Sequence, residues 1–288
     1  MSSADVAVPR RQAPRWVTRN DLRLVRSELR LVLTRRRNVA MLFVLALAPT
    51  LIGVAIKLAG PGDGEGPSFL ASITENGLFL VFTALVATLP VFLPLAVSVV
   101  SGESVAGEAS TGTLRYLLAT PVHRTRLLAV KLVAIVVYAG VATLTVAAVG
   151  LVVGALLFGL GDLTLLSGTT IGVGPALLRA LLVALYVAGM LTTVAALGLF
   201  VSTLTEVPLA AMSATAITVV VVEIVDAVPQ LSAVHDWLFT HDWLAFGELL
   251  RDPVSAGPLL HGLAVQAGYV AVFSALAWAR LSTKDVTS

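Results

Sequence analysis

The residues best suited to chemistry lie in one polar stretch between two long apolar runs. It reads Gly107-Glu108-Ala109-Ser110-Thr111-Gly112-Thr113-Leu114-Arg115-Tyr116-Leu117-Leu118-Ala119-Thr120-Pro121-Val122-His123-Arg124, with Lys131 seven residues on. One end is acidic (Glu103, Glu108) and the other basic (His123, Arg124, Arg126). By pattern alone, an ordinary interfacial helix–turn–helix linking two spans accounts for this stretch as well as a functional device does. A second group is Glu223 and Asp226, three residues apart and therefore on one helix face. Carboxylates inside an apolar helix are costly, and they line water or find a counter-charge. Lys57 is a possible partner, and the pair would form an anionic lining of a path through the membrane; alternatively, the helix end lies among outer headgroups. The four His (His123, His235, His241, His261) read as scattered, with His261 alone near the start of the last apolar run. The chain has no Cys, which excludes disulfides and thiolate metal sites. No metal site is assigned, and no catalytic residue.

Local rules give the polar stretch a shape. Gly102, Gly107 and Gly112 punctuate its start. Thr113 is placed to cap a short helix on which Leu114, Leu117 and Leu118 share one face. That helix stops before Pro121, because the residue preceding Pro is steered out of helical geometry. Thr120 and Pro121 then open the next helix as cap and first residue. The expectation is two helices bent at Thr120–Pro121.

The elements that hold this stretch are membrane spans. Of 288 residues, 57% are hydrophobic and 12% charged, with a mean hydropathy of +0.94. A soluble domain carries about 25% charged residues. Crossing a bilayer takes about 20 apolar residues, and six runs qualify: 39–59, 78–100, 128–158, 177–203, 207–228 and 258–279. They do not alternate as barrel strands would. An all-α integral membrane protein is therefore predicted, its six-helix domain covering 38–280. Pro90 and Pro94 predict a kink in span 2. Gly150 and Gly154 form a small-xxx-small pair for close packing within the subunit. The short turn at 205–208 makes spans 4 and 5 a hairpin. Between spans 5 and 6, two His-Asp-Trp-Leu units (235–238 and 241–244) predict short helices at the outer interface.

Charge sets the expected orientation. Ten Arg precede the first span; Arg115, Arg124, Arg126 and Lys131 follow span 2, and Arg280 and Lys284 end the chain. Only Lys57, Arg179 and Arg251 face the other way. The positive-inside rule puts both termini and the 101–127 loop in the cytoplasm. Residues 1–19 read as a disordered basic tail and 281–288 as a cytoplasmic tail. Over 20–37, with Asn20 as cap, Leu22, Val25, Leu29, Val32 and Leu33 share a face beside a basic stripe of Arg23, Arg26, Arg30 and Arg37. This is an amphipathic helix for the lipid interface, with Trp16 as a nearby anchor.

The order Glu108-x3-Gly112-Thr113-Leu114, then Leu117-Leu118, then Thr120-Pro121-Val122, Arg124 and Lys131 resembles permease subunits of ATP-binding-cassette (ABC) transporters, in the type-2 ABC permease family. Two positions depart: Arg115 and Ser110 stand where acids are frequent. The motif covers about 25 residues, and the interfacial helix, six spans and outer helices fit the same pattern. The resemblance implies a multi-pass protein of the prokaryotic cytoplasmic (inner) membrane, not an enzyme itself. In it, Glu108, Gly112, Thr113, Leu114, Leu117, Leu118, Pro121, Val122 and Arg124 form the ATPase-coupling interface, with a cytoplasmic coupling helix between spans 2 and 3. It further implies separate ABC ATPase subunits as partners, a second permease subunit (identical or homologous) and no nucleic acid. The phosphate-cradling Gly-x4-Gly-Lys-Ser/Thr sequence is not in this chain, so ATP and magnesium are expected on the partner, with no cofactor here. An exporter of a small amphipathic or hydrophobic compound, such as a drug, lipid or peptide, is the implied activity. A secondary transporter would be expected to carry paired charges at mid-depth. A membrane enzyme would need a nucleophile–base pair or metal ligands in depth.

Overall fold

The computed structural model describes residues 19–59, 76–112 and 124–283. These are overwhelmingly helical, as their apolar runs require: in lipid, a helix satisfies its own backbone. Helix α1 (Arg19–Thr34) lies against the bundle and turns at Arg35 into α2 (Arg36–Ala59), the first span. Span 2 consists of α3 (Leu78–Thr88) and α4 (Phe92–Ser110), bent by 56° at the break that contains Pro90. Pro94 sits in the first turn of α4, where no intrahelical N–H is lost. The expected kink is thus located at Pro90. Span 3 is α5 (Arg124–Phe158); span 4 is α6 (Val173–Met190) continued by α7 (Thr192–Leu204); span 5 is α8 (Pro208–Asp226). Between spans 5 and 6 lie a 3-10 turn (Pro229–Leu231), α9 (Ser232–His235) and a 3-10 helix (His241–Leu250), and α10 (Ala256–Thr283) is span 6. Among the described residues, five helices are long and apolar enough to cross a membrane, or six when the bent pair counts as one span.

Boundaries differ from expectation at several places. Asn20 lies inside α1, not at its cap, because the helix already begins at Arg19. The last helix runs to Thr283, through the start of the expected tail. Two-residue strands, Leu163–Thr164 and Thr170–Ile171, pair antiparallel between spans 3 and 4; too short to show a period, they are illegible as strands in a long apolar chain.

Span 4 forms the core. Its most apolar window is 67% buried, against 11% to 33% in the other four long helices. Helix α7 packs on α4, α10 and α8, while α5 packs on α1, α2, α3 and α6. Close approach depends on missing side chains. A Cβ on Gly154 would lie 2.1 Å from the Gly77 carbonyl oxygen, and one on Gly150 would lie 3.2 Å from Val81. The glycine pair therefore packs α5 on α3 within the subunit. Ser202 of α7 enters the backbone of α4. Its hydroxyl accepts from the N–H groups of Val105 (3.0 Å) and Ala106 (2.8 Å) and donates to Gly102 O (2.6 Å).

At the end opposite α1, the 241–250 segment is a packed cap. Phe239, Trp243, Phe246 and Leu250 are buried, whereas Trp237 is exposed. Arg179 donates to Leu249 O (2.8 Å) and Arg251 O (2.7 Å); Tyr186 donates to Asp242 O (2.9 Å); Gln266 donates to Phe239 O (2.6 Å). The two His-Asp-Trp-Leu units thus part company, one Trp entering the core and the other staying outside.

Candidate functional site

Of the polar stretch, Thr113, Leu114, Leu117, Leu118, Pro121 and Val122, with Arg115 and the Thr120–Pro121 bend, lie outside the described residues. Its two flanks are described, and the fold brings them together. Helix α4 continues past the apolar part of span 2 to Ser110, which carries Glu103 and Glu108 beyond it. Helix α5 starts at Arg124, so Lys131 lies two turns in. The Lys131 ammonium donates to Glu108 Oε1 at 2.6 Å and to Glu28 Oε1 at 3.0 Å. Its side chain is 2% exposed, against 19% for Glu28 and 23% for Glu108. One buried cation thus joins three helices: α1 through Glu28, α4 through Glu108, and its own α5.

A second ion cluster adjoins it. Glu103 pairs with Arg35 at 2.9 Å and with Arg37. Asn38, buried beside them, donates to Val32 O at 2.8 Å, and Tyr138 of α5 donates to Asn38 O at 3.2 Å. These contacts fix the corner between α1 and α2. The two clusters border a cavity of about 820 Å³ lined by residues including Glu28, Arg35, Asn38, Glu103, Glu108 and Lys131. Burying charge is costly unless it is paired, and here the cations and carboxylates face one another across helices, so that each helix fixes the others' position.

Helix α1 is amphipathic, and its apolar face packs against the bundle. Arg23, Arg26 and Arg30 are exposed, whereas Val32 is buried and Val25, Leu29 and Leu33 are half-buried. Glu28 is the residue that the pattern does not single out. Its spacing from Val25 and Leu29 places an acid at the edge of an apolar face, and that is the available signal.

At the other flank, Gly112 has φ +71°, a left-handed geometry that ends α4. Arg124 donates to Leu281 O (2.6 Å) and Ser282 O (2.9 Å), and Trp278 donates to Thr125 Oγ1 (3.0 Å). The described residues on either side of 113–123 are thus fastened, the end of α4 to α1 and the start of α5 to the end of α10.

The second candidate group lies at the far end. Glu223 and Asp226 are half-buried near the end of α8. Lys57 is not their partner: it donates to Leu157 O at 3.0 Å and stands over the Phe158 ring at 5.6 Å. Spans 1 and 3 are neighbours, and Lys57 is used between them. Asp226 instead pairs with His241, its Oδ1 2.7 Å from Nδ1. His261 is not alone either, since its Nδ1 lies 2.7 Å from Asp242 Oδ2. Nor are the described His scattered, for the His235 and His241 rings lie 5.6 Å apart between centroids, tilted by 36°. Sequence separation hides both pairings, because the 229–255 segment folds back over the ends of spans 4, 5 and 6.

No curated protein matches the chain. A family described as a protein of unknown function, DUF2705, matches residues 62–287. That is well over half of the 288 residues and includes spans 2 to 6, the polar stretch and the far-end cap. By this match, and with five or six apolar helices of spanning length among the described residues, the chain is a multi-pass membrane protein belonging to the DUF2705 family.

Proposed function

We propose that the chain is the membrane-spanning permease subunit of an ATP-driven ABC transporter, exporting a small amphipathic or hydrophobic compound. The observation that carries this reading is the buried Lys131, which ties Glu28 of α1 to Glu108 of α4 at the base of the segment bearing the Gly-Thr-Leu and Thr-Pro-Val motifs. A push on 113–123 from outside the membrane reaches α4 through Gly112 and α5 through Arg124. The ion cluster spreads it to α1, and from α1 to the α1–α2 corner. Because α4 packs on α7 and α8, displacement of α4 moves the core span as well.

In this reading both termini and the 101–127 loop are cytoplasmic, the side on which ABC ATPase subunits bind ATP and magnesium. Arg23, Arg26 and Arg30 face lipid phosphates. Two permease subunits, identical or homologous, form the pathway, and Glu223 contributes a polar group towards its outer mouth. The apolar walls suit an amphipathic cargo.

The test is to purify the protein with the ATPase that accompanies it, then replace Gly112, Leu117 and Pro121 singly. The expected result is loss of ATPase co-purification or of substrate-stimulated hydrolysis, at normal membrane expression. Unchanged coupling in all three variants, or purification with no ATPase under any condition, sinks the proposal. Proton-driven transport insensitive to vanadate would replace it with a secondary transporter.

A further inference from the structure

The far-end cap contains side chains for which transport coupling has no use. Asp226 is the last residue of α8, His235 the last of α9, and His241 the first of the 241–250 helix. One ligand atom from each lies within 4.8 Å of the others. Asp226 Oδ1 and His241 Nδ1 are already 2.7 Å apart. The His235 ring is oriented by the Val228 carbonyl, 3.2 Å from its Nε2. The other nitrogen of His241, Nε2, lies 3.9 Å from Asp236 Oδ1.

We propose that Asp226, His235 and His241 bind one divalent transition-metal ion of the zinc class, which pins the far-end cap to the end of span 5. Two imidazoles and a carboxylate match the donor preference of Zn(II) and its neighbours, and no thiolate is present to favour a softer ion. At metal–ligand distances of about 2.0–2.2 Å, tetrahedral ligands stand about 3.3 Å apart. Side-chain rotation by about 1.5 Å or less closes the longer separations and opens the 2.7 Å Asp226–His241 contact to this spacing. Asp236, 80% exposed with Oδ1 3.9 Å from His241 Nε2, would have to swing about 1 Å closer to accept from that nitrogen as the outer-shell carboxylate usual behind a metal-bound His. The fourth position is left to water or to Glu223, one turn before Asp226 on the same helix face.

The three ligands come from three elements near one another in sequence, α8, α9 and the 241–250 helix, and the metal would join all three directly. The ion would add a further restraint to the 229–241 connection, beside backbone turns such as Leu231 N–H to Val228 O and His241 N–H to Leu238 O and the bonds from Gln266 to Phe239 O and from Tyr269 to Trp237 O. This inference stands independently of the transport reading, since it uses neither the polar stretch nor an ATPase.

The experiment uses the full chain in detergent, carrying an affinity tag without histidine and stripped with EDTA. Zn(II) is titrated by calorimetry, and Co(II) by the visible absorption of a tetrahedral site. The expected result is one equivalent per chain and a higher melting temperature in metal than in EDTA. His235→Gln, His241→Gln and Asp226→Asn should each weaken binding more than about 100-fold, the upper end of the effect of losing an outer-shell partner. Their melting in EDTA should fall by no more than about 4 °C, the loss expected of a half-exposed His–Asp pair, which separates loss of ligation from misfolding. His261→Gln, in the neighbouring His–Asp pair, should bind as the wild type does. Binding by the wild type no tighter than by a His235→Gln/His241→Gln double variant overturns the proposal, as does equal loss in His261→Gln.

Discussion

Replacing Lys131 by Met tests whether the buried cation holds α1, α4 and α5 together. The ammonium lies 2.6 Å from Glu108 and 3.0 Å from Glu28. At an effective dielectric near 20, each contact carries a gross attraction of about 6 kcal/mol, most of it offset by desolvation. Removing one member of a buried ion group costs about 3–5 kcal/mol, because uncompensated charge remains. The Lys131→Met variant leaves two carboxylates facing each other. Both are partly exposed and border the cavity, so water can reach them, and the low end of the range, about 3 kcal/mol, applies. At about 2–4 °C per kcal/mol for a chain of this size class, the melting temperature falls by about 6–12 °C. The assay is thermal unfolding of the detergent-solubilised protein, followed by fluorescence-detected gel filtration. Glu28→Gln alone leaves Lys131 paired with Glu108 and should cost about 1 kcal/mol or less. The triple variant Glu28→Gln/Glu108→Gln/Lys131→Met removes all three charges and should regain more than half of the loss, since neutral replacements of a buried ion group are often tolerated. A Lys131→Met protein that melts within about 2 °C of wild type, or a triple variant no more stable than Lys131→Met, would show that the cluster does not fasten the helices.

Two further predictions concern the packing that positions this site. Ser202→Ala leaves the N–H groups of Val105 and Ala106 and the carbonyl of Gly102 without the hydroxyl they share; it should cost about 2 kcal/mol and increase hydrogen exchange at 102–106 in α4. Gly154→Ala drives a methyl into the Gly77 carbonyl and should destabilise by about 3 kcal/mol, whereas Gly140→Ala, which meets open space in the same helix, should be neutral or stabilise by up to about 1 kcal/mol; the two melting curves, compared side by side, decide it.

Much of the molecule is legible in residue order, for a definite reason. Hydrophobic runs of span length report their own helices, because backbone satisfaction in lipid is local. Pro90 marks the break in span 2, the Gly150/Gly154 spacing marks a close contact, and the period of α1 marks it as amphipathic. The short turn at 205–208 likewise makes α7 and α8 neighbours. Each depends on residues within a few turns of one another.

Pairings across the fold are not legible in the same way. Glu28 and Lys131 are 103 positions apart, and nothing local distinguishes Glu28 from a solvated acid on an amphipathic helix. Lys57, by depth alone, is free to serve Glu223 and Asp226; its packing against α5 sends it to Leu157 instead. The His of the two His-Asp-Trp-Leu units read as interfacial residues, and only the folding back of the cap sets His241 against Asp226 and His235 against His241. Periodicity and apolar run length encode which face of a helix is apolar and where the chain spans, and so they announce the spans and the amphipathy of α1. Which charge meets which depends on helix order, tilt and crossing, set by the whole bundle, and those alone bring Lys131 between two acids and two imidazoles beside Asp226.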